Sequence, residues 1–355
     1  MPVSATLTPQ FWRTALWVLL ALLPLWLGGM FGRDFWTPDE PREADIAWNM
    51  SQQADPAIPL MAGEPFLEKP PLLYWAAAPG IALLGPAPAV VRLPNLAFAA
   101  LATFLVVVLG WQFAGVSAAW VAGLVSGSFL LGLQVAIWFA TDAPLVAGTV
   151  LALFGLWNGL QAAPGRDKLV SYLVMSAGLA VAFYAKNVSG WMVPLLTLLT
   201  CVVWQRRWRE LLRWELWLAA LALLAVIVPW VVAIAQGPRG RDNLLAFFWW
   251  NLAGRFTDVG APADIAYARD HANSVGKYFI EAPVNLLPWG LLAIAAGRRA
   301  WQVLRHNTAG HHAGTPAAWQ FAIASVVPGL ILLSFSSTAR AVYAAPLLPE
   351  ENRQK

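Results

Sequence analysis

The chain has 355 residues, of which 59% are hydrophobic and only 12% are charged, and its mean hydropathy is +0.59. A soluble domain carries about twice this charged fraction, so the composition excludes an ordinary soluble protein and predicts a membrane protein. The net charge of +4 fits basic cytoplasmic loops and indicates no nucleic-acid partner, and the single cysteine, Cys201, excludes an internal disulfide bond and a thiolate metal cluster.

The first predicted element is a membrane span at residues 14–32. Arg13 precedes it and no small-x-small cleavage pattern follows it, so we expect an uncleaved signal anchor with a cytoplasmic amino terminus. The next segment, 33–91, is then the first outer loop, and it is unusually rich in charges. Its apolar run at 72–84 is too short to cross a bilayer, so we predict an interfacial or re-entrant helix there.

A helix is also predicted at the start of this outer loop. Thr37, Pro38 and Glu40 form the pattern of a capping box, in which a threonine caps the helix and a glutamate three residues later reaches back. The helix is expected to run over 38–53. Asp39, Arg42, Glu43 and, less directly, Asp45 should then share one of its faces.

The remaining apolar runs complete an all-α polytopic membrane protein of about nine transmembrane helices. Charge orders them, because the basic cluster between Arg206 and Arg213 belongs on the cytoplasmic side. This topology gives a transmembrane domain at 1–340, a second outer loop at 236–277, and a short carboxyl end at 341–355 with no separate soluble domain. The further spans are predicted at 93–110, 117–135, 143–161, 170–185, 191–204, 214–235, 279–297 and 317–335.

Ionisable side chains collect at the predicted outer face, which favours a reaction site there. Arginine binds phosphate as a fork and lysine as a point charge, and an aspartate can act as a general base. For Asp39 and Glu40 helix capping is the alternative, and for Arg33 and Arg92 we expect side chains that reach water at the helix ends. The outer-face candidates are Asp39, Glu40, Arg42, Glu68, Lys69, Asp142, Lys186, Arg255, His271 and Arg340.

Several of these residues lie in motifs of a known family. The stretches TPDEPREADIAWNM, GEPFLEKPPLLYW and VVRLPNLAFA, followed by TDAPL, AKNVSG, FFWWNLAGRF, LLPW and SFSSTARAVYAAPLLP, cover nearly the whole chain. They resemble the membrane glycosyltransferases that use polyisoprenyl-phosphate sugars and include the aminoarabinose transferase of lipid A and the protein O-mannosyltransferases. The sequence departs from the family pattern at Glu43, where an aromatic residue is usual.

The resemblance implies a C-type glycosyltransferase fold and an enzyme of the bacterial inner membrane. Such an enzyme moves a sugar from an undecaprenyl (polyisoprenyl) phosphate carrier to a lipid A, glycan or protein acceptor on the periplasmic face, by inverting displacement. The resemblance implies that Asp39 is the catalytic carboxylate and that Glu68 and His271 match a divalent metal site of some members; no other cofactor is expected. The predicted substrate- and phosphate-binding residues are Glu40, Arg42, Lys69, Asp142, Lys186, Arg255 and Arg340.

Two other classes of protein remain open at this stage. A transporter or flippase for the carrier lipid would have broken helices with polar groups at mid-membrane, whereas the charges here collect at one face. An inactive accessory subunit of a glycan assembly system also fits the sequence, because family members usually continue through further spans.

Overall fold

In a computed structural model the described part of the chain is almost entirely helical. The structure describes residues 8–237, 239–250, 280–281, 284–306 and 315–334. Their helices are α1 (Pro9–Met30), α2 (Asp39–Gln52), α3 (Leu72–Leu84), α4 (Pro88–Ser128), α5 (Leu130–Ile137), α6 (Asp142–Gln161), α7 (Arg166–Lys186), α8 (Met192–Trp204), α9 (Trp214–Gln236), α10 (Gly240–Leu244), α11 (Gly290–His306) and α12 (Pro316–Ser334). Short 3-10 helices cover Asn187–Trp191 and Trp208–Leu212, a π-helical turn covers Leu245–Trp250, and strands β1 (Leu60–Met61) and β2 (Glu64–Pro65) pair antiparallel.

Six helical runs among the described residues are long and apolar enough to cross a membrane, so the chain is a polytopic membrane protein, as predicted. The runs are Pro9–Met30, Pro88–Ser128, Asp142–Gln161, Arg166–Trp204, Trp214–Gln236 and Pro316–Ser334. The number of about nine spans stays a prediction, because two of these runs contain a break and 251–279 lies outside the described residues.

The longest run, α4, folds back on itself. Ala114 and Gly115 leave helical geometry, and Gly115 has φ +77°, a value that favours glycine. Residues on either side of the break then pack together: a Cβ built on Gly123 would lie 2.5 Å from a methyl carbon of Val107. The break falls between the predicted spans 93–110 and 117–135, whose separation is therefore confirmed. Phe129 interrupts the second of them, because its backbone is extended between α4 and α5.

One predicted span has the wrong bounds. Residues 286–288 form a turn, and α11 begins only at Gly290, so 279–297 is not one continuous helix. Pro288 lacks an N–H donor and disfavours helical geometry in the residue before it, which accounts for the interruption. As a result α11 itself carries three arginines that the prediction had placed beyond the span: Arg298, Arg299 and Arg305.

The short helix predicted at 72–84 is confirmed as α3. It has 13 residues and so a length of about 20 Å, well below the roughly 30 Å of a bilayer core. Its buried face, including Leu73, Ala77 and Ile81, packs against Ile46 and Met50 of α2. The two helices thus share a small apolar core, to which Val91 of α4 and Phe139 also contribute.

Helices α6 and α7 form the centre of the bundle. They approach so closely that a Cβ built on Gly178 of α7 would lie 2.2 Å from the backbone nitrogen of Ala152 on α6. Around this contact the main apolar core gathers buried side chains from α4, α6, α7, α8, α9 and α12. The two helices run antiparallel, so the start of α6 and the end of α7 lie at the same end of the bundle.

The opposite end of the bundle holds a buried polar trio. Lys168 and Tyr172 of α7 both donate hydrogen bonds to Glu210, the tyrosine hydroxyl over 2.6 Å. Burial would raise the pKa of Glu210, but these two donors lower it below its ordinary value. The trio ties the start of α7 to the 3-10 helix that precedes α9.

Candidate active site

The carboxylate of Glu40 organises residues 33–91, the segment predicted to be the first outer loop (here called the outer loop). It is fully buried and accepts hydrogen bonds from the guanidinium groups of Arg33 and Arg92 at distances of 2.8–3.4 Å. The backbone N–H groups of Trp36 and Phe139 each donate to it over 2.8 Å. One side chain therefore links α2 to the segment after α1, to the start of α4 and to the segment before α6.

Two expectations about this group are wrong. The N-cap position of α2 is Pro38, with no capping side-chain bond, so Thr37 and Glu40 do not form the predicted capping box. Arg92 does not reach water either: its side chain is fully buried against Glu40, and Arg33 is also held there. An isolated charge is costly to bury, and the pairing with Glu40 offsets part of that cost. The burial of Glu40 argues against direct contact with a substrate.

A second buried glutamate, Glu43, lies one turn further along α2. Its side chain is not exposed, and it accepts hydrogen bonds from Lys69 and from the hydroxyl of Tyr74, the latter over 2.5 Å. Arg42 donates to the same carboxylate over 3.2 Å. The predicted residues Arg42 and Lys69 are therefore brought together by Glu43, which the sequence placed on the same helix face as Arg42 but not among the site residues.

Arg42 connects this group to two further carboxylates. Its guanidinium lies 3.5 Å from Asp39 and 3.6 Å from Glu68. Asp39 is the first residue of α2, and its side chain remains 25% exposed, so it is open to a ligand in a way that Glu40 and Glu43 are not. The arrangement presents two partly exposed carboxylates, Asp39 and Glu68, beside the guanidinium of Arg42.

The buried charges in this loop are stable as ions. Burial alone would raise the pKa of Glu43, but the charge and hydrogen bond of Lys69, the Tyr74 hydroxyl and the charge of Arg42 hold it below its ordinary value. Burial would lower the pKa of Lys69, and the neighbouring charge of Glu43 raises it above its ordinary value. Both groups are therefore ionised at neutral pH, as a charge-assisted pair requires.

Asp142 and Lys186 form a second ion pair at the same end of the bundle. Asp142 is the first residue of α6, Lys186 is the last residue of α7, and their side chains are 2.5 Å apart. The outer loop contacts this end, because the ring of Trp75 packs 5.4 Å from the ring of Tyr184, two residues before Lys186. Two predicted residues that are 44 positions apart in sequence are thus neighbours.

Three of the predicted site residues, Arg255, His271 and Arg340, lie outside the described residues. Among all the residues that the structure describes, no three histidine, cysteine, aspartate or glutamate side chains are grouped so that they could hold a metal ion. The metal site at Glu68 and His271 therefore stays a prediction, with Glu68 located beside Arg42.

Comparison with protein families identifies the chain's relatives. Residues 12–244 match the family described as dolichyl-phosphate-mannose-protein mannosyltransferase. The chain belongs to this family. The match to the mannosyltransferase family begins within α1 and ends with α10, so it includes both glutamates of the outer loop and the pair at the ends of α6 and α7.

Curated proteins and solved structures agree with this membership. Undecaprenyl phosphate-alpha-4-amino-4-deoxy-L-arabinose arabinosyl transferases from Pseudomonas aeruginosa are 30% identical (strain LESB58, 82% of this chain, 52% of the relative) and 31% identical (strain UCBPP-PA14, 81% and 51%). ArnT from Cupriavidus metallidurans, bound to undecaprenyl phosphate, has a TM-score of 0.80 at 20% identity over 96% of this chain and 58% of that one. The structure of the same ArnT in the apo state has a TM-score of 0.77 over 93% of this chain and 56% of that one. The C-type glycosyltransferase fold is thereby confirmed, and the chain spans about half the length of the curated relatives it matches.

Sequence reasoning overlooked two residues of this site. Glu43 is the centre of the Arg42–Lys69 group, and Tyr74 is its hydroxyl donor. Two signals were available for Glu43: its place on the helix face of Asp39 and Arg42, and its departure from the aromatic residue usual in the family pattern that the sequence resembles. Tyr74 lies in the motif LEKPPLLYW, five residues after Lys69, and nothing in the motif indicated that its hydroxyl points back to α2.

Proposed function

We propose that the chain is a glycosyltransferase that moves a sugar from undecaprenyl phosphate to a lipid A, glycan or protein acceptor. The reaction takes place on the periplasmic side of the bacterial inner membrane, and the amino terminus is cytoplasmic. The names of the curated relatives make 4-amino-4-deoxy-L-arabinose the first sugar to test.

One observation carries this proposal: a partly exposed carboxylate and two lysines gather at one end of a membrane bundle. Asp39 supplies the carboxylate, and Lys69 and Lys186 supply the cations. A carrier lipid in the bilayer would present its phosphate at such an end of the bundle, level with these side chains. Membership in a family named for transfer from a polyisoprenyl phosphate supports the same substrate class.

The chemistry of the transfer fits these groups. An acceptor oxygen attacks the anomeric carbon, the bond from that carbon to the carrier phosphate breaks, and its electron pair stays on the phosphate oxygen. The leaving phosphate gains negative charge, which Arg42, Lys69 and Lys186 stabilise electrostatically. If the acceptor is a hydroxyl, its proton passes to Asp39; if it is a phosphate of lipid A, no base is needed and Asp39 orients the sugar. A single displacement inverts the configuration at the sugar carbon.

The test is a transfer assay with the full chain in proteoliposomes. Radiolabelled undecaprenyl phosphate-linked 4-amino-4-deoxy-L-arabinose is the donor, and lipid A is the acceptor. We expect label to move to lipid A. Because Asp39 orients the sugar when the acceptor is a phosphate, Asp39→Asn should lower the rate by about a hundredfold, the usual cost of a misplaced reactant.

Asp45→Asn is the matched control, because Asp45 lies on the same helix with an exposed side chain and should leave the rate unchanged. Absence of transfer by the unaltered chain would refute the proposal for this donor and acceptor. Equal rates for the Asp39→Asn and Asp45→Asn variants would remove Asp39 from the mechanism while leaving the transferase intact.

A further inference from the structure

Glu43 is a fully buried carboxylate to which the proposed mechanism gives no part. Lys69 and Arg42 donate to one of its oxygens, and the hydroxyl of Tyr74 donates to the other over 2.5 Å. Donors from α2, from the segment before α3 and from α3 itself therefore surround it. Because its side chain is not exposed, Glu43 acts on a ligand only through these neighbours.

We propose that Glu43 is a positioning residue that holds Lys69 and Arg42 toward the phosphate of the carrier lipid. The ligand in this inference rests on the proposed function. A lysine ammonium has three N–H donors on a flexible stem, so a fixed carboxylate that takes one donor sets the direction of the other two. The guanidinium of Arg42 is held in the same way, since Glu43 lies closer to it than Asp39 or Glu68 does.

The neighbouring carboxylates explain why the direction matters. Glu68 lies 3.6 Å from Arg42, and its charge also acts on Lys69. Without the charge of Glu43, Lys69 would turn to Glu68, and that pair would compete with a phosphate for the same donors. If Glu43 were merely a counter-charge, its removal would instead strengthen phosphate binding, because one nearby negative charge would be gone. The two roles therefore predict changes of opposite sign.

The chain contains its own matched control for this experiment. Lys69, Glu43 and Tyr74 form a trio of lysine, glutamate and tyrosine. Lys168, Glu210 and Tyr172 form a second such trio at the opposite end of the bundle, where the hydroxyl of Tyr172 lies 2.6 Å from Glu210. Glutamate-to-glutamine substitution removes a buried, lysine-paired carboxylate in both trios. Comparable losses of stability are expected from the two variants, whereas only the trio that contains Glu43 lies at the end where the phosphate would bind.

The experiment measures equilibrium binding of undecaprenyl phosphate to the full chain in lipid nanodiscs. We expect Glu43→Gln to weaken binding about tenfold, the equivalent of one well-oriented charge-assisted hydrogen bond, and Glu210→Gln to leave it unchanged. Because Glu43 acts mainly through Lys69, the double variant Glu43→Gln/Lys69→Met should bind within about twofold of Lys69→Met alone.

Several results would overturn the inference. They are unchanged or tighter binding by Glu43→Gln, fully additive losses in the double variant, an equal loss in Glu210→Gln, and no carrier binding by the unaltered chain. If Glu43→Gln does not fold, Tyr74→Phe removes only the hydroxyl that anchors Glu43 and should weaken binding by a smaller factor, with Tyr172→Phe as its control. Carrier binding that depends on Glu43 in a chain without transfer activity would refute the proposed function alone.

Discussion

Replacing Glu40 by glutamine should remove about 3–5 kcal/mol of folding free energy, the usual loss when one partner of a buried ion pair is deleted. Glu40 accepts six hydrogen bonds, three on each carboxylate oxygen, and all six donors are N–H groups. A glutamine amide converts one oxygen into a donor, so three bonds are lost in either orientation of the amide. The buried guanidinium of Arg92 would also lose its counter-charge.

Thermal unfolding of the purified chain in detergent measures this effect. A loss of this size should lower the midpoint by on the order of 5–10 °C. Glu64→Gln is the control, because Glu64 pairs with Arg239 over 3.0 Å in the same half of the molecule but both side chains are exposed, and exposed pairs contribute little. A midpoint for Glu40→Gln within about 1 °C of the control would refute the organising role of Glu40.

The pH dependence of this difference is a further check. Burial would raise the pKa of Glu40, but its hydrogen bonds to Arg92 and Arg33 and to two backbone N–H groups lower it below the ordinary value of 4.5. A carboxyl with a lowered native pKa contributes stability that is complete above the unfolded pKa and is lost as the pH falls through the native pKa. The difference between the two proteins should therefore be constant from pH 7 to about pH 5 and shrink only in stronger acid. A difference that vanishes above about pH 6 would contradict this assignment.

Two more predictions concern orientation and carrier binding. A cysteine at the exposed Trp208, in a variant that lacks Cys201, should react with a membrane-impermeant maleimide only after the inner face is opened; labelling in intact cells would reverse the proposed orientation. Lys186→Met should weaken binding of undecaprenyl phosphate by about tenfold or more, while Lys186→Arg keeps the charge and most of the affinity. Unchanged affinity in Lys186→Met would exclude this lysine from the phosphate subsite.

The sequence predicted the parts of the fold that depend on local pattern. Apolar runs and basic clusters located the helices, and the short run at 72–84 was correctly separated from the spans because length alone decides it. The links made by Glu40 could not be predicted, since Arg92 and Phe139 lie 52 and 99 residues away. The local sequence pattern around Glu40 predicted a helix cap. In the structure Glu40 is instead buried and paired with two arginines.

The candidate site divides in the same way. Motifs identified Asp39, Lys69 and Lys186 one by one, because each lies in a stretch that resembles a known family. The packing of α2, α3, α6 and α7 determines which charged side chains pair with each other. No spacing in the sequence predicts these pairs. For this reason the sequence placed Glu43 on the helix face of Arg42 but could not show that it also binds Lys69.

The reach of the Glu40 contacts also has a consequence for biogenesis. Ribosomes deliver the chain from its amino terminus, so a nascent chain exposes Glu40 long before it contains Arg92, and Arg92 before Phe139. Phe139, whose backbone N–H is the last of these donors in the sequence, is synthesised only after both helical halves of α4. Residues 33–91 must therefore wait with an incomplete set of partners, and a nascent chain that ends before Phe139 should leave this segment sensitive to protease.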